Sequence, residues 1–285
     1  MSSVQEPRLS DPKANPWDKA AAGWNAHSGA VHDWLHGVTK AMLDAARIGP
    51  GSRVLDIAAG AGDQTLDIAQ RVGVRGHVLA TDLSERILAL AACNAQARGY
   101  QQVSTQVADA QALEMAGANF DAAVCRLGLM FCSNPALALT QARIALKPAG
   151  RYSAVVFSAP QQNPCLTITM AIARRYANLP PAATPQPGSL LSLGAPGLLE
   201  TLLGEAGFVD ITVKAVAAPF RLPSSQSYVA FVRAAGSPLM EMLSQAPEHV
   251  QRCAWEDMTV ALSRFNTARG WDGPNELLLC SATAA

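Results

Sequence analysis

Between residues 52 and 157, short apolar runs alternate with stretches whose apolar positions recur at helical spacing. Runs at 52–57, 77–82, 103–107, 120–126 and 151–157 predict five strands. Segments 65–71, 85–98 and 135–146 predict the helices between them, the second opened by Ser84 as an N-cap. Past residue 158 the rhythm breaks. Residues 159–193 are rich in Pro, Gln and Ser around one helix at 166–176, and a second helix at 198–206 stops at Gly207. A strand at 211–216, helices within 225–265 and a strand at 277–281 follow. Upstream, residues 1–16 read as a loose tail, and 17–47 as helices broken near Ser28-Gly29 and ended by Pro50-Gly51.

Repeated strand–helix alternation predicts an α/β fold with a parallel sheet, helices on both faces and right-handed crossovers. Residues 17–285 are expected to form one domain, with segments of about 17–47, 159–193 and 225–265 covering one end of the sheet. The chain, 285 residues and 49% apolar, is long enough for a large core. Its 22 basic and 22 acidic residues leave no electrostatic footprint for nucleic acid or an anionic membrane. No apolar run approaches the roughly 20 residues of a membrane span, and the first residues lack an apolar signal core. Six scattered cysteines without a C-x-x-C pair read as reduced thiols of a cytoplasmic protein.

Ligands of open α/β sheets bind beyond the carboxyl ends of the strands. Asp56, Asp82, Asp109 and Arg126 stand where successive strands give way to loops. The first loop, Gly60-Ala61-Gly62-Asp63-Gln64-Thr65, has threonine where a dinucleotide fingerprint has its third glycine. Asp63 there would repel a pyrophosphate at the helix N-terminus, and a Gly-Lys-Ser/Thr phosphate loop is absent. The loop is built for a ligand without phosphates. An ionised Asp82 offers two acceptor oxygens to ribose hydroxyls, Asp109 suits an adenine amino group, and Asp56 is placed to tie down loop N–H groups.

The stretches "VLDIAAGAGDQT", "VLATDLS", "VADAQAL", "FDAAVCRLGLMF" and "ARIALKPAGRYSAVV" resemble the ordered motifs of class I S-adenosylmethionine-dependent methyltransferases. The chain is most similar to the branch containing the quinone-biosynthesis C-methyltransferases. The resemblance implies a Rossmann-like seven-stranded sheet whose last strand is antiparallel and inserted between the fifth and sixth. It implies S-adenosylmethionine as cofactor, S-adenosylhomocysteine as product, and a small-molecule methyl acceptor. Gly60 and Gly62 would let the loop approach the methionine moiety, Asp82 would bind ribose, and Asp109 and Ala110 would flank adenine. Arg126 would offer its backbone carbonyl near the methionine amino group, Trp24 would contact the cofactor from the cover, and Thr65 and Leu83 complete the motif positions. Family members often have glycine where this chain has Ala58; an alanine loop with negative φ is expected there.

A general base is useful only if the acceptor carries a proton of high pKa. His27, just before the break at Ser28-Gly29, is the candidate. His32 and His36 share a helical face, but no carboxylate or cysteine pattern accompanies them, so no metal is expected. His249, Glu256 and Tyr228 lie in the late cover. Leu127, Leu129, Met130, Phe131, Met170 and Phe231 suggest an apolar or aromatic acceptor methylated at carbon, oxygen or nitrogen. Arg174 and Arg175, adjacent on a helix, point apart and make no joint anion clamp. Two other functions compete: a nicotinamide-dependent oxidoreductase, which the missing glycine and the lack of a Tyr-x-x-x-Lys pair oppose, and a non-catalytic cofactor-binding protein. The helices at 225–265 could also pair two copies in a homodimer.

Overall fold

Buried on both faces, β1 (Arg53–Ile57) and β4 (Phe120–Arg126) form the centre of the sheet. Their mainly apolar, mostly buried residues suit that position. Val54 and Leu55 are completely buried, each contributing about 1.5–3 kcal/mol relative to exposure. The structure is a computed structural model that describes residues 16–285 other than 116, 118, 182–184 and 236; the expected tail at 1–16 falls almost wholly outside them. The other strands are β2 (His77–Asp82), β3 (Val103–Val107), β5 (Leu146–Phe157), β6 (Phe208–Ala217), β7 (Phe220–Leu222), β8 (Asn266–Thr267), β9 (Gly270–Gly273) and β10 (Glu276–Ala284). Helices α1 (Pro16–Ala26), α2 (Ser28–Ala45), α3 (Asp63–Val72), α4 (Glu85–Ala97) and α5 (Pro135–Ala145) precede α6 (Pro164–Tyr176) and α7 (Leu198–Glu205). The late helices are α8 (Ser225–Ala235), α9 (Ser237–Leu243) and α10 (Glu248–Leu262).

The main sheet has seven strands in the order β3-β2-β1-β4-β5-β10-β6. The first five run parallel, and β10 runs antiparallel to both neighbours, with Leu277 opposite Phe157 on one side and Val216 on the other. This is the expected seven-stranded sheet with a late strand inserted between the fifth and sixth. The order reverses between β1 and β4, so the loops after these strands diverge and open a crevice at their carboxyl ends.

Two features depart from the expected elements. β5 begins at Leu146, opposite Phe120, instead of at residue 151, and the register shifts before Ala122 pairs with Arg151. Ala149, at φ 61°, marks this irregularity. A second sheet, β7-β9-β8, lies among the late helices. Its Trp271 is buried, stacks on Tyr228 at 4.7 Å and donates from Nε1 to the Leu262 carbonyl at 2.8 Å, tying α8 to α10.

The N-terminal cover is anchored from both ends. Val31, Leu35, Val38 and Met42 form the buried stripe of α2. Trp34 stacks on Phe220 at 4.7 Å and donates to the Ala218 carbonyl at 2.7 Å. On α1, Asp18 accepts from the Ser84 hydroxyl and Asn25 accepts from Asn94 at 3.3 Å. Gly23 allows α1 to lie directly on α8: a Cβ there would stand 1.9 Å from the Ala234 carbonyl oxygen. Among the described residues no helix is long and apolar enough to cross a membrane. All six cysteines are free thiols.

Candidate functional site: the crevice between β1 and β4

The loop leaving β1 turns through left-handed conformations at Ala58 (φ 55°), Gly60 (φ 58°) and Gly62 (φ 89°). Ala58 thus departs from the expected negative φ. Glycine takes this conformation freely, whereas alanine pays about 1–2 kcal/mol for it. Its methyl group fits because the facing residue is Gly128, where an added Cβ would sit 2.3 Å from the Ala58 Cβ. Gly62 makes another close approach: its missing Cβ would lie 3.0 Å from the Ala91 Cβ, so α4 packs tightly on the loop.

Asp56 and Asp82 divide the work of holding this loop differently from the expectation. Asp56 is buried and accepts from the Gln64 amide and, at 2.6 Å, from the Thr65 hydroxyl, so it grips the first turn of α3 through side chains. The loop N–H bond falls instead to Asp82, whose Oδ2 accepts from Gly60 N and Oδ1 from Ser84 N, both at 3.0 Å. Burial raises the Asp56 carboxyl to about 6, despite Thr65, Gln64 and Arg126. Burial also raises Asp82, opposed by the N–H groups of Ser84, Gly60 and Leu83. An ionised carboxylate has about four lone-pair sites, so beside these N–H groups Asp82 keeps acceptor capacity for a ligand.

Around this loop lies a cavity of about 490 Å³, within the roughly 300–1,000 Å³ of small-molecule sites. Trp24, Ala58, Gly60, Asp82, Leu83, Asp109, Ala110 and Arg126 line it. Asp56, Gly62 and Thr65 stand behind the lining and shape it. Asp109 is oriented by Gln111, whose backbone N–H donates to Oδ1 at 2.8 Å. The Arg126 guanidinium donates to Thr39 Oγ1 and Asp63 Oδ2, each at 2.7 Å. Leu127, Leu129, Phe131 and Cys132 supply apolar wall, and Trp17 packs edge-on against Phe131 at 4.7 Å. Burial pushes the Cys132 thiol up to about 11, so it is protonated wall.

His27 is not part of that lining; its ring packs edge-on against Phe231 at 5.5 Å. The histidine in the cavity is His32, whose Nδ1 lies 3.0 Å from Asp63 Oδ1. Helical spacing alone does not say which face of α2 meets the sheet, and so does not favour His32 over His27 as the base. Asp63, expected only to repel a pyrophosphate, joins His32 to Arg126. His249 and Glu256 are exposed, while Tyr228 is buried against Trp271. Arg175 pairs with Asp257 at 2.5 Å and Arg174 donates to the Pro180 carbonyl at 2.6 Å, so the two cations are indeed engaged separately. The fold also brings a carboxylate, Asp67 of α3, to the His32–His36 pair, which the sequence had not paired with one.

Comparison with known proteins places this geometry. Residues 54–150 match the methyltransferase domain family. The Ubiquinone/menaquinone biosynthesis C-methyltransferase UbiE of Teredinibacter turnerae is 30% identical over 152 residues, 53% of this chain and 61% of that one. The chain thus spans about three fifths of the length of that relative. Among solved structures, the [4+2]-cyclase SpnF has a TM-score of 0.58 at 17% identity, covering 94% of this chain and 97% of its own. Phosphoethanolamine N-methyltransferase 2 of Haemonchus contortus, solved with S-adenosyl-L-methionine, has a TM-score of 0.56 at 16% identity, over 90% of this chain and 56% of its own. These two share the fold. Residues 54–150 thus match a methyltransferase domain, in a chain similar to the ubiquinone/menaquinone biosynthesis C-methyltransferases.

Proposed function

We propose that this protein transfers the methyl group of S-adenosylmethionine to a small apolar or aromatic molecule. The observation that carries the reading is Asp82: a buried carboxylate at the end of β2, aligned by two backbone N–H groups and bordering the cavity with acceptor capacity to spare. Such a group suits paired ribose hydroxyls. The like-charged Asp63 at the start of α3 suits a cofactor without phosphate and opposes a dinucleotide. Thr65, buried on Asp56, also takes the place of the third glycine that a dinucleotide fingerprint uses.

Bound S-adenosylmethionine supplies a methyl group on a cationic sulfur. The chain's own task is alignment, which can provide about 7–11 kcal/mol when the reacting atoms are held in line. Gly60 and Ala58 bring backbone close to the methionine part, and Asp109 with Ala110 borders the adenine end. Leu127, Phe131, Trp17 and Trp24 exclude water and offer flat apolar surface to the acceptor. That surface, with the likeness to a C-methyltransferase of ubiquinone and menaquinone biosynthesis, supports a quinone-like ring methylated at carbon.

A fold shared with a cyclase shows that the sheet does not dictate the reaction. Calorimetric titration with S-adenosylhomocysteine, followed by a panel of alkylated hydroquinones and phenols, separates the readings. Micromolar binding with product formation supports methyl transfer. Binding without turnover on any acceptor supports a cofactor-binding protein, and binding of NAD alone overturns the cofactor assignment.

A further inference from the structure

His32 and His36 stand one turn apart on α2, their ring centroids 5.2 Å apart and planes at 48°. Asp67 projects from α3, one turn after Asp63. One ligating atom from each of His32, His36 and Asp67 lies within 4.8 Å of the other two. Two imidazoles at i and i+4 share a face, and a carboxylate from the adjoining helix adds a third direction. We infer that these three side chains form a binding site for a borderline divalent transition-metal cation such as Zn²⁺, Ni²⁺ or Co²⁺, clipping α2 to α3 at the wall of the cavity.

The surroundings suit a metal-bound histidine. Metal-ligating histidines commonly donate their second ring nitrogen to a carboxylate, which fixes the tautomer and ring orientation. His32 already has this partner, its Nδ1 lying 3.0 Å from Asp63 Oδ1; in the inferred site Nε2 would be the nitrogen that meets the cation. Asp63 is held in turn by Arg126 at 2.7 Å, so that guanidinium charge is paired. Imidazole and carboxylate donors select Zn²⁺, Ni²⁺ or Co²⁺ over hard, all-oxygen cations. Metal–ligand distances of about 2.0–2.2 Å require the donors to close by roughly an ångström, within reach of rotamer adjustment because His36 is exposed and His32 and Asp67 are half-exposed.

Chelator-treated, untagged full-length protein should be titrated with Co²⁺ by visible absorption and with Zn²⁺ by calorimetry, beside His36→Ala and Asp67→Asn. The expected result is one cation per chain, a cobalt spectrum of nitrogen and oxygen ligands without thiolate charge transfer, and affinity at least tenfold weaker in each variant. His36 is exposed, so metal-free melting of His36→Ala should match wild type and confirm folding. Absence of binding to wild type overturns the site. So does affinity unchanged in both variants, or a thiolate band that disappears with Cys93→Ser or Cys253→Ser, since those exposed cysteines would then hold the cation.

Discussion

Ala58 and Gly128 act as one packing unit, and a double-mutant cycle can measure how strongly. Gly128 has φ −108° and ψ −39°, a conformation open to any L-residue, so Gly128→Ala has no backbone penalty. The added methyl would stand 2.3 Å from the Ala58 Cβ and 3.1 Å from Cys125 Sγ. Carbon pairs prefer about 3.5–4.0 Å, so the two methyl groups must separate by over an ångström. Overpacking of this kind costs about 1–3 kcal/mol. Ala58→Gly relieves the left-handed strain at φ 55°, worth about 1–2 kcal/mol, while the freer unfolded chain takes back about 0.4–1 kcal/mol. That single variant should therefore lie between unchanged and ~1.6 kcal/mol more stable than wild type. In the double variant the principal clash is gone and only the Cys125 contact remains, giving a coupling of about 1–3 kcal/mol. Urea unfolding of the four proteins, followed by tryptophan fluorescence, reads it directly. Additivity within ~0.5 kcal/mol would refute the packing argument.

Three further outcomes are expected. Asp56 titrates at about 6 folded against 3.8 in the ordinary state, so its contribution is complete below about pH 4 and lost as pH rises through 6, by roughly 3 kcal/mol. Asp56→Asn removes this titration; parallel stability–pH curves for variant and wild type between those limits would contradict the assignment. Asp82→Ala removes the charged acceptor expected for two ribose hydroxyls, at about 1.5–3 kcal/mol each, and should weaken S-adenosylhomocysteine binding at least a hundredfold by calorimetry. Circular dichroism must show that variant folded, because the Gly60 and Ser84 N–H groups also lose their partner; unchanged affinity would sink the ribose assignment. Gly23→Ala drives a methyl group onto the Ala234 carbonyl. It should destabilise by about 1–3 kcal/mol, seen as a lower melting temperature, and unaltered melting would show that α1 does not rest on α8 as described.

The sheet was legible because β1, β2, β4 and the second half of β5 each carry a short, mainly apolar stretch bounded by turn-forming or charged residues, and Ser84 does cap α4 by accepting from Ile87 N at 3.1 Å. The strand-end aspartates were legible for the same reason, since strand ends are fixed by the pattern. What escaped lies below its resolution. β8 has two residues and β9 four, too few for a period of two to show. The φ of Ala58 depends on the empty space at Gly128, seventy residues away in the chain. The choice between His27 and His32 depends on the rotation of α2 against the sheet. The destination of the Asp56 carboxylate depends on the pitch of α3, which turns Gln64 and Thr65 inward beneath the loop.

The close seating of Gly23 on α8 has a mechanical consequence. Along one side α1 is bonded to Ser84 and Asn94 at the rim of the cavity, and along the other it lies backbone to backbone on the late cover. The helix therefore couples the two sides: displacing it from the cavity rim would also unseat it from the late cover.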